Sequence, residues 1–167
     1  PWGGSPLALT RECVELVRRF FAGERVTTES GRWLYRRASL ATTPKSAVPI
    51  YLAALNDRML QLAGEIADGV ILNFVSVGDL VHAKGKIAEG ARRVGRSLEN
   101  FEYVIFFRST VTEDYELVRE RYQRELLTYV MAPVYQKMFA REGHAELCKE
   151  IQTLWRAGER ETALATL

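Results

Sequence analysis

Cysteine is scarce in this sequence: Cys13 and Cys148 are the only two, and they stand far apart in 167 residues. That spacing excludes a disulfide-stapled scaffold and a thiolate metal centre. Both fall on what reads as the apolar side of a helix, as small buried hydrophobes in a reducing compartment. Histidine is as rare. Neither His82 nor His144 has a partner at catalytic or metal-ligand spacing, so both are assigned surface or capping roles and no metal is expected. No apolar run approaches the roughly 20 residues of a membrane span, and no charged-then-apolar leader opens the chain. No membrane partner is expected, and the cytoplasm is the expected compartment. Charge of one sign is missing too: 23 basic residues face 21 acidic ones, which gives no reason to expect a nucleic-acid partner.

What is present is the composition of a globular protein, 47% hydrophobic and 26% charged. Ser5-Pro6 predicts a helix start, a hydroxyl cap before proline at the first helical position. Cys13, Leu16, Val17, Phe20 and Phe21 follow as one apolar stripe, stopped by Gly23. From Glu24 to Ala47 periodicity is lost, and a long loop is expected, with a short strand around Arg32 to Tyr35. Val48 to Ala54 reads as a strand buried on both faces. Asn56 caps a helix to about Ala67, with Met59, Leu60, Ala63 and Ile66 inward. After Asp68-Gly69, Val70 to Phe74 reads as a second strand. A helix from about Gly78 to Val94 carries Leu80, Val81, Ile87, Ala91 and Val94 on its stripe and ends at Gly95. Phe101 to Val111 reads as a third strand.

Strand, helix, strand, helix, strand at this spacing means right-handed βαβ units and a parallel sheet. The expected fold class is α/β. Residues 1–111 form its helix and βαβαβ part, and 112–167 a C-terminal helical insertion with a break at Pro133 and an interruption at Gly143. Both ends read as cut, since the chain opens on Pro1 and residues 159–167 still read as helix. Three strands cannot close a barrel and leave two apolar edges. More chain, or a partner, is expected to cover them.

The block Pro49-Ile50-Tyr51-Leu52-Ala53-Ala54-Leu55-Asn56-Asp57-Arg58-Met59, with Leu62-Ala63-Gly64-Glu65-Ile66-Ala67-Asp68-Gly69-Val70-Ile71-Leu72-Asn73, resembles a signature of the luciferase-like monooxygenase superfamily. Within it, the block is most similar to the branch related to methylene-tetrahydromethanopterin reductase. Pro6-Leu7-Ala8, Thr10-Arg11-Glu12 and Ala22-Gly23-Glu24 are similar to the preceding helix, and Val104 to Asp114 to the late strand and turn. The resemblance implies a portion of a (β/α)8 TIM barrel and relatives about twice this length. It also implies an oxidoreductase that moves a hydride between coenzyme F420 and a small organic substrate, and association as a dimer. The alternatives are an FMN-dependent monooxygenase, or a truncated, non-catalytic relative stabilised by oligomerisation.

In a parallel barrel the loops after the strands build the active-site face. The first such loop, Ala53, Ala54, Leu55, Asn56 and Arg58, puts small residues before a helix N-terminus, where free N–H groups favour an anion. The resemblance implies that it helps to hold the phosphate end of the coenzyme. The second, Asn73, Phe74 and Val75, borders the same site in relatives. Against this stands the plain reading that such turns occur in every α/β protein, with Asn56 only a cap. Relatives carry Gly-Pro where this chain has Asn56-Asp57, a departure that removes a glycine and adds a carboxylate. Arg108 is a lone charge among Phe106, Phe107 and Thr110. It is a weak candidate for binding an anionic substrate or cofactor tail; pairing with a barrel carboxylate, or a place already outside the sheet, is the plainer expectation. Asp68 reads as structural, Arg92, Arg93 and Arg96 as a solvated helix end, and Tyr129, Tyr135, Phe139 and Trp155 as packing. No GxGxxG, phosphate loop, HExxH or GxSxG occurs, and no catalytic acid or base is assigned.

Overall fold

The computed structural model describes residues 5–28 and 32–167. The expected opening at Pro1 and part of the loop after Glu24 lie outside them. The element order is α1 (Pro6–Phe21), β1 (Tyr51–Ala53), α2 (Asp57–Ile66), β2 (Gly69–Asn73), α3 (Val77–Arg93), β3 (Glu102–Phe106), α4 (Tyr115–Val130), α5 (Pro133–Arg141), α6 (Ala145–Arg156) and α7 (Arg160–Ala165). The three strands form one parallel sheet in the order β1-β2-β3, with Tyr51 opposite Gly69, Leu52 opposite Val70 and Ala53 opposite Ile71.

The chain divides into two compact units. One comprises the described residues up to Ile71 with Gly85–Val104, the other Leu72–Lys84 with Ile105–Leu167. In the first, Leu60, Ala63, Ala67, Val70 and Ile87 are buried to 1% exposure or less, the inward stripes of α2 and α3 against the sheet. The α2–α3 contact is backbone against backbone: a Cβ on Gly64 would lie 2.0 Å from the Ile87 carbonyl oxygen, and one on Gly90 1.9 Å from that of Gln61. Beneath the strands, Asp68 accepts from the Ile50 amide at 2.8 Å and pairs with Arg18 at 3.0 Å and Arg96 at 3.3 Å. In the second unit Leu127, Val130, Cys148, Ile151 and Ala163 form the core of the helical region.

Several expectations need correction. Around Arg32 to Tyr35 no strand forms; the loop is tied instead by a single antiparallel bridge between Val26 and Ala38. The first strand is short and only partly buried, not enclosed on both faces. The third ends at Phe106, where strand pairing stops, and Val111 lies beyond it and is fully exposed. Cys13 is exposed, since Val14 and Leu16 take the inward positions of α1; Cys148 is buried. Val81 and Val94 are exposed and contribute nothing to the core of α3. Arg96 and Arg93 are not simply solvated: Arg96 pairs with Asp68, and Arg93 reaches Gln61 at 3.1 Å. No helix of the described residues is long and apolar enough to cross a membrane.

Candidate functional site

In the second unit, β2 ends at Asn73 and Phe74 follows in the left-handed region, φ +55°. A bulky aromatic there is strained, and it holds only where its surroundings over-determine it. Those surroundings are visible. The Phe74 ring lies 4.3 Å from the Tyr129 ring and 4.5 Å from the Arg108 guanidinium. Arg108 donates to Asn73 Oδ1 at 3.1 Å and to the Tyr129 hydroxyl at 2.6 Å, and its Nε pairs with Glu125. The Asn73 amide in turn donates to the Tyr135 hydroxyl at 2.9 Å. The result is one half-buried network from the end of β2, the segment after β3, and helices α4 and α5.

The loop after Phe74 enters α3 through a reciprocal cap. Ser76 Oγ accepts from the Asp79 amide at 2.9 Å, and Asp79 Oδ2 accepts from the Ser76 amide at 3.3 Å. Asp79 is buried, and its other oxygen takes Arg141 at 2.9 Å.

A cavity of about 590 Å³ opens beside this network, walled by Phe74, Phe106, Phe107 and Leu126, with Arg108 and Arg119 as its charged lining. That volume lies within the range of small-molecule sites, roughly 300–1,000 Å³. A second cavity of about 330 Å³ shares Phe74, Ser76 and Leu126 and adds Asp79, His144 and Cys148. Burial pushes the Cys148 thiol up, which disfavours the nucleophilic thiolate. Asp79 is engaged by Arg141 and the cap, a structural arrangement at the entry to α3.

The first unit holds the other expected loop. Ala54 is buried and its amide donates to the Ile71 carbonyl at 3.3 Å. Asn56 Oδ1 accepts from the Met59 amide at 3.0 Å, so one of the helix N-terminal donors expected for an anion is satisfied by the chain itself. Ala53, Asn56 and Arg58 are exposed and Leu55 half-buried. Arg58 lines a depression between α1 and α2 with Arg11, Gln61, Glu65 and Arg93. Also in this unit, an apolar groove of about 580 Å³ runs along Leu9, Cys13, Val17, Ile50 and Leu52; it includes Trp33, whose buried indole N–H has no partner among the described residues.

Of the expected site residues, the structure thus brings Asn73, Phe74 and Arg108 into contact. Sequence reasoning missed Glu125, Tyr129 and Tyr135. One signal was there: Glu125 and Tyr129 stand four apart on α4, hence on one face, and a lone arginine in an aromatic strand needs a carboxylate. The cap Ser76-Val77-Gly78-Asp79 was likewise legible as a hydroxyl three residues before an acid.

Residues 4–167 match the family described as "Luciferase-like monooxygenase". The chain is 31% identical over 141 residues to 5,10-methylenetetrahydromethanopterin reductase of Archaeoglobus fulgidus, covering 84% of this chain and 42% of the relative. It is 33% identical over 115 residues to the F420-dependent glucose-6-phosphate dehydrogenase of Nocardia farcinica, covering 68% and 34%. The coenzyme F420-dependent tetrahydromethanopterin reductase structure from Methanopyrus kandleri superposes with a TM-score of 0.78 at 27% identity, over 98% of this chain and 48% of that one. The chain therefore spans between a third and a half of the length of these relatives, and its fold is α/β, a portion of a TIM barrel.

Proposed function

Because this chain belongs to the luciferase-like monooxygenase family, we propose that the protein is an oxidoreductase that moves a hydride between coenzyme F420 and a small organic substrate. The observation that carries this reading is the similarity, over most of the chain, to relatives and a solved structure whose names state F420 dependence or reduction of a methanopterin. The cavity in the second unit fits such a group. Aromatic and aliphatic walls suit a flat heterocycle, and two arginines suit an acidic one.

When bound, the deazaflavin supplies or accepts the hydride; the chain's own residues position and enclose it. In this reading Asn73, Phe74 and Val75 border the ring, and the first unit's loop of Ala53, Ala54, Leu55, Asn56 and Arg58 is an anion-binding turn. Phe74 and Phe106 exclude water, and Arg108 faces substrate. The substrate is a small organic molecule, and the protein works in the cytoplasm as a dimer. Two valines support the dimer: Val77 and Val81, one turn apart on α3, are 83% and 68% exposed.

Titration of the protein with F420, followed by the coenzyme's fluorescence, tests the reading. Saturable binding of about one coenzyme per chain, with affinity on the order of micromolar, is expected. Binding of FMN in place of F420 would favour a monooxygenase instead, and no binding of either would favour a non-catalytic relative.

A further inference from the structure

We infer that the larger cavity of the second unit recognises a ligand with an apolar ring body and a single acidic group, read by Arg119 together with the unused face of Arg108. The inference rests on the oxidoreductase reading only for the identity of the ligand, not for its chemistry.

The argument begins with donors. A guanidinium has five N–H groups. Three of those on Arg108 are directed at Glu125, Asn73 and Tyr129, so two remain. The side chain is held flat by Phe74 at 4.5 Å and Phe106 at 5.0 Å, which fixes where those two donors lie. A guanidinium pinned this way loses little freedom on meeting an acid. Arg119, also lining the cavity, makes no ion pair among the described residues. No acidic residue lines the same cavity. Its wall is therefore apolar with a net positive charge, and an acid bonded there is partly desolvated, where charge-assisted hydrogen bonds are strongest.

Glu125 gives the site its selectivity. It stands behind Arg108 as an internal counter-ion that neutralises one of the two cations. One acidic group is accommodated; a second finds no cation left unneutralised. The acid can belong to the substrate or to the coenzyme, and the chemistry of recognition is the same.

The experiment uses two fluorescent probes of similar shape, 8-anilinonaphthalene-1-sulfonate, which is anionic, and N-phenyl-1-naphthylamine, which is neutral. Arg119→Gln, at an exposed position on α4, is expected to weaken the sulfonate by roughly tenfold and leave the neutral amine unchanged. Glu125→Gln is expected to tighten the sulfonate by roughly threefold. Equal loss of both probes, or sulfonate binding indifferent to Arg119→Gln and Glu125→Gln, overturns the inference. F420 added to the sulfonate complex then assigns the source: displacement gives the acid to the coenzyme, simultaneous binding to the substrate, and either upholds the site. Charge-selective binding without any F420 binding retains this inference and removes the oxidoreductase reading. F420 binding without charge selectivity does the reverse.

Discussion

At the scale of single residues, Asp68 carries more of the structure than its place in a turn suggests. Desolvation pushes its carboxyl up, but the Ile50 amide, Arg18 and Arg96 together outweigh that and hold it below the usual aspartate range. A folded-state value below the unfolded one stabilises the protein above the ordinary carboxylate range, and the contribution is lost as pH falls through the folded value. Asp68→Asn keeps an acceptor for Ile50 and loses the charge that both ion pairs need. It should cost about 1–2 kcal/mol at neutral pH, discounted for the partial exposure of the group. In urea denaturation, the gap between wild type and variant should begin to narrow as pH falls through the ordinary carboxylate range, roughly pH 4, and close only as it passes the lower folded-state value; a gap that stays constant throughout that fall would remove the charge from the explanation. The same scale shows what the sequence made legible of the site. Arg108, Asn73 and Phe74 drew attention as departures from local expectation. Glu125 did not, and Tyr129 and Tyr135 read only as packing, because each looks ordinary on an amphipathic helix. Their role arises from contacts 21 and 62 positions apart, which no local periodicity encodes.

At the scale of elements, the helices were the readable part. Their apolar stripes and the left-handed glycines at Gly23, Gly95 and Gly143 mark them and their ends. The strands were less readable, because an apolar aromatic run does not say where hydrogen bonding stops: Phe106 and Phe107 continue the run while the ladder ends. The meeting of α2 and α3 gives a paired test. Gly64→Ala should raise helix propensity yet destabilise by about 2 kcal/mol or more, since the added methyl meets the Ile87 carbonyl and the helices must part. Gly85→Ala, within α3, meets nothing within 4 Å and should stabilise by about 0.5–1 kcal/mol. Thermal midpoints moving in the same direction for both would show that close approach does not govern this contact.

At the scale of the whole molecule, the exposed valines of α3 make the proposed association testable. Val81→Glu adds a charge to a position 68% exposed, so folding should be little affected. Sedimentation should then show the dimer giving way to a species of half the mass, and an unchanged dimer would move the interface elsewhere. The apolar groove along α1 and β1 has a different consequence. Trp33 places an indole with no hydrogen-bond acceptor among the described residues in that wall, in a protein with only three tryptophans. Such an indole emits to the blue of one in water, and its emission moves to longer wavelength once a polar neighbour arrives. The fold thereby carries its own optical gauge of that surface, one that registers whatever comes to rest on the groove without any label being attached.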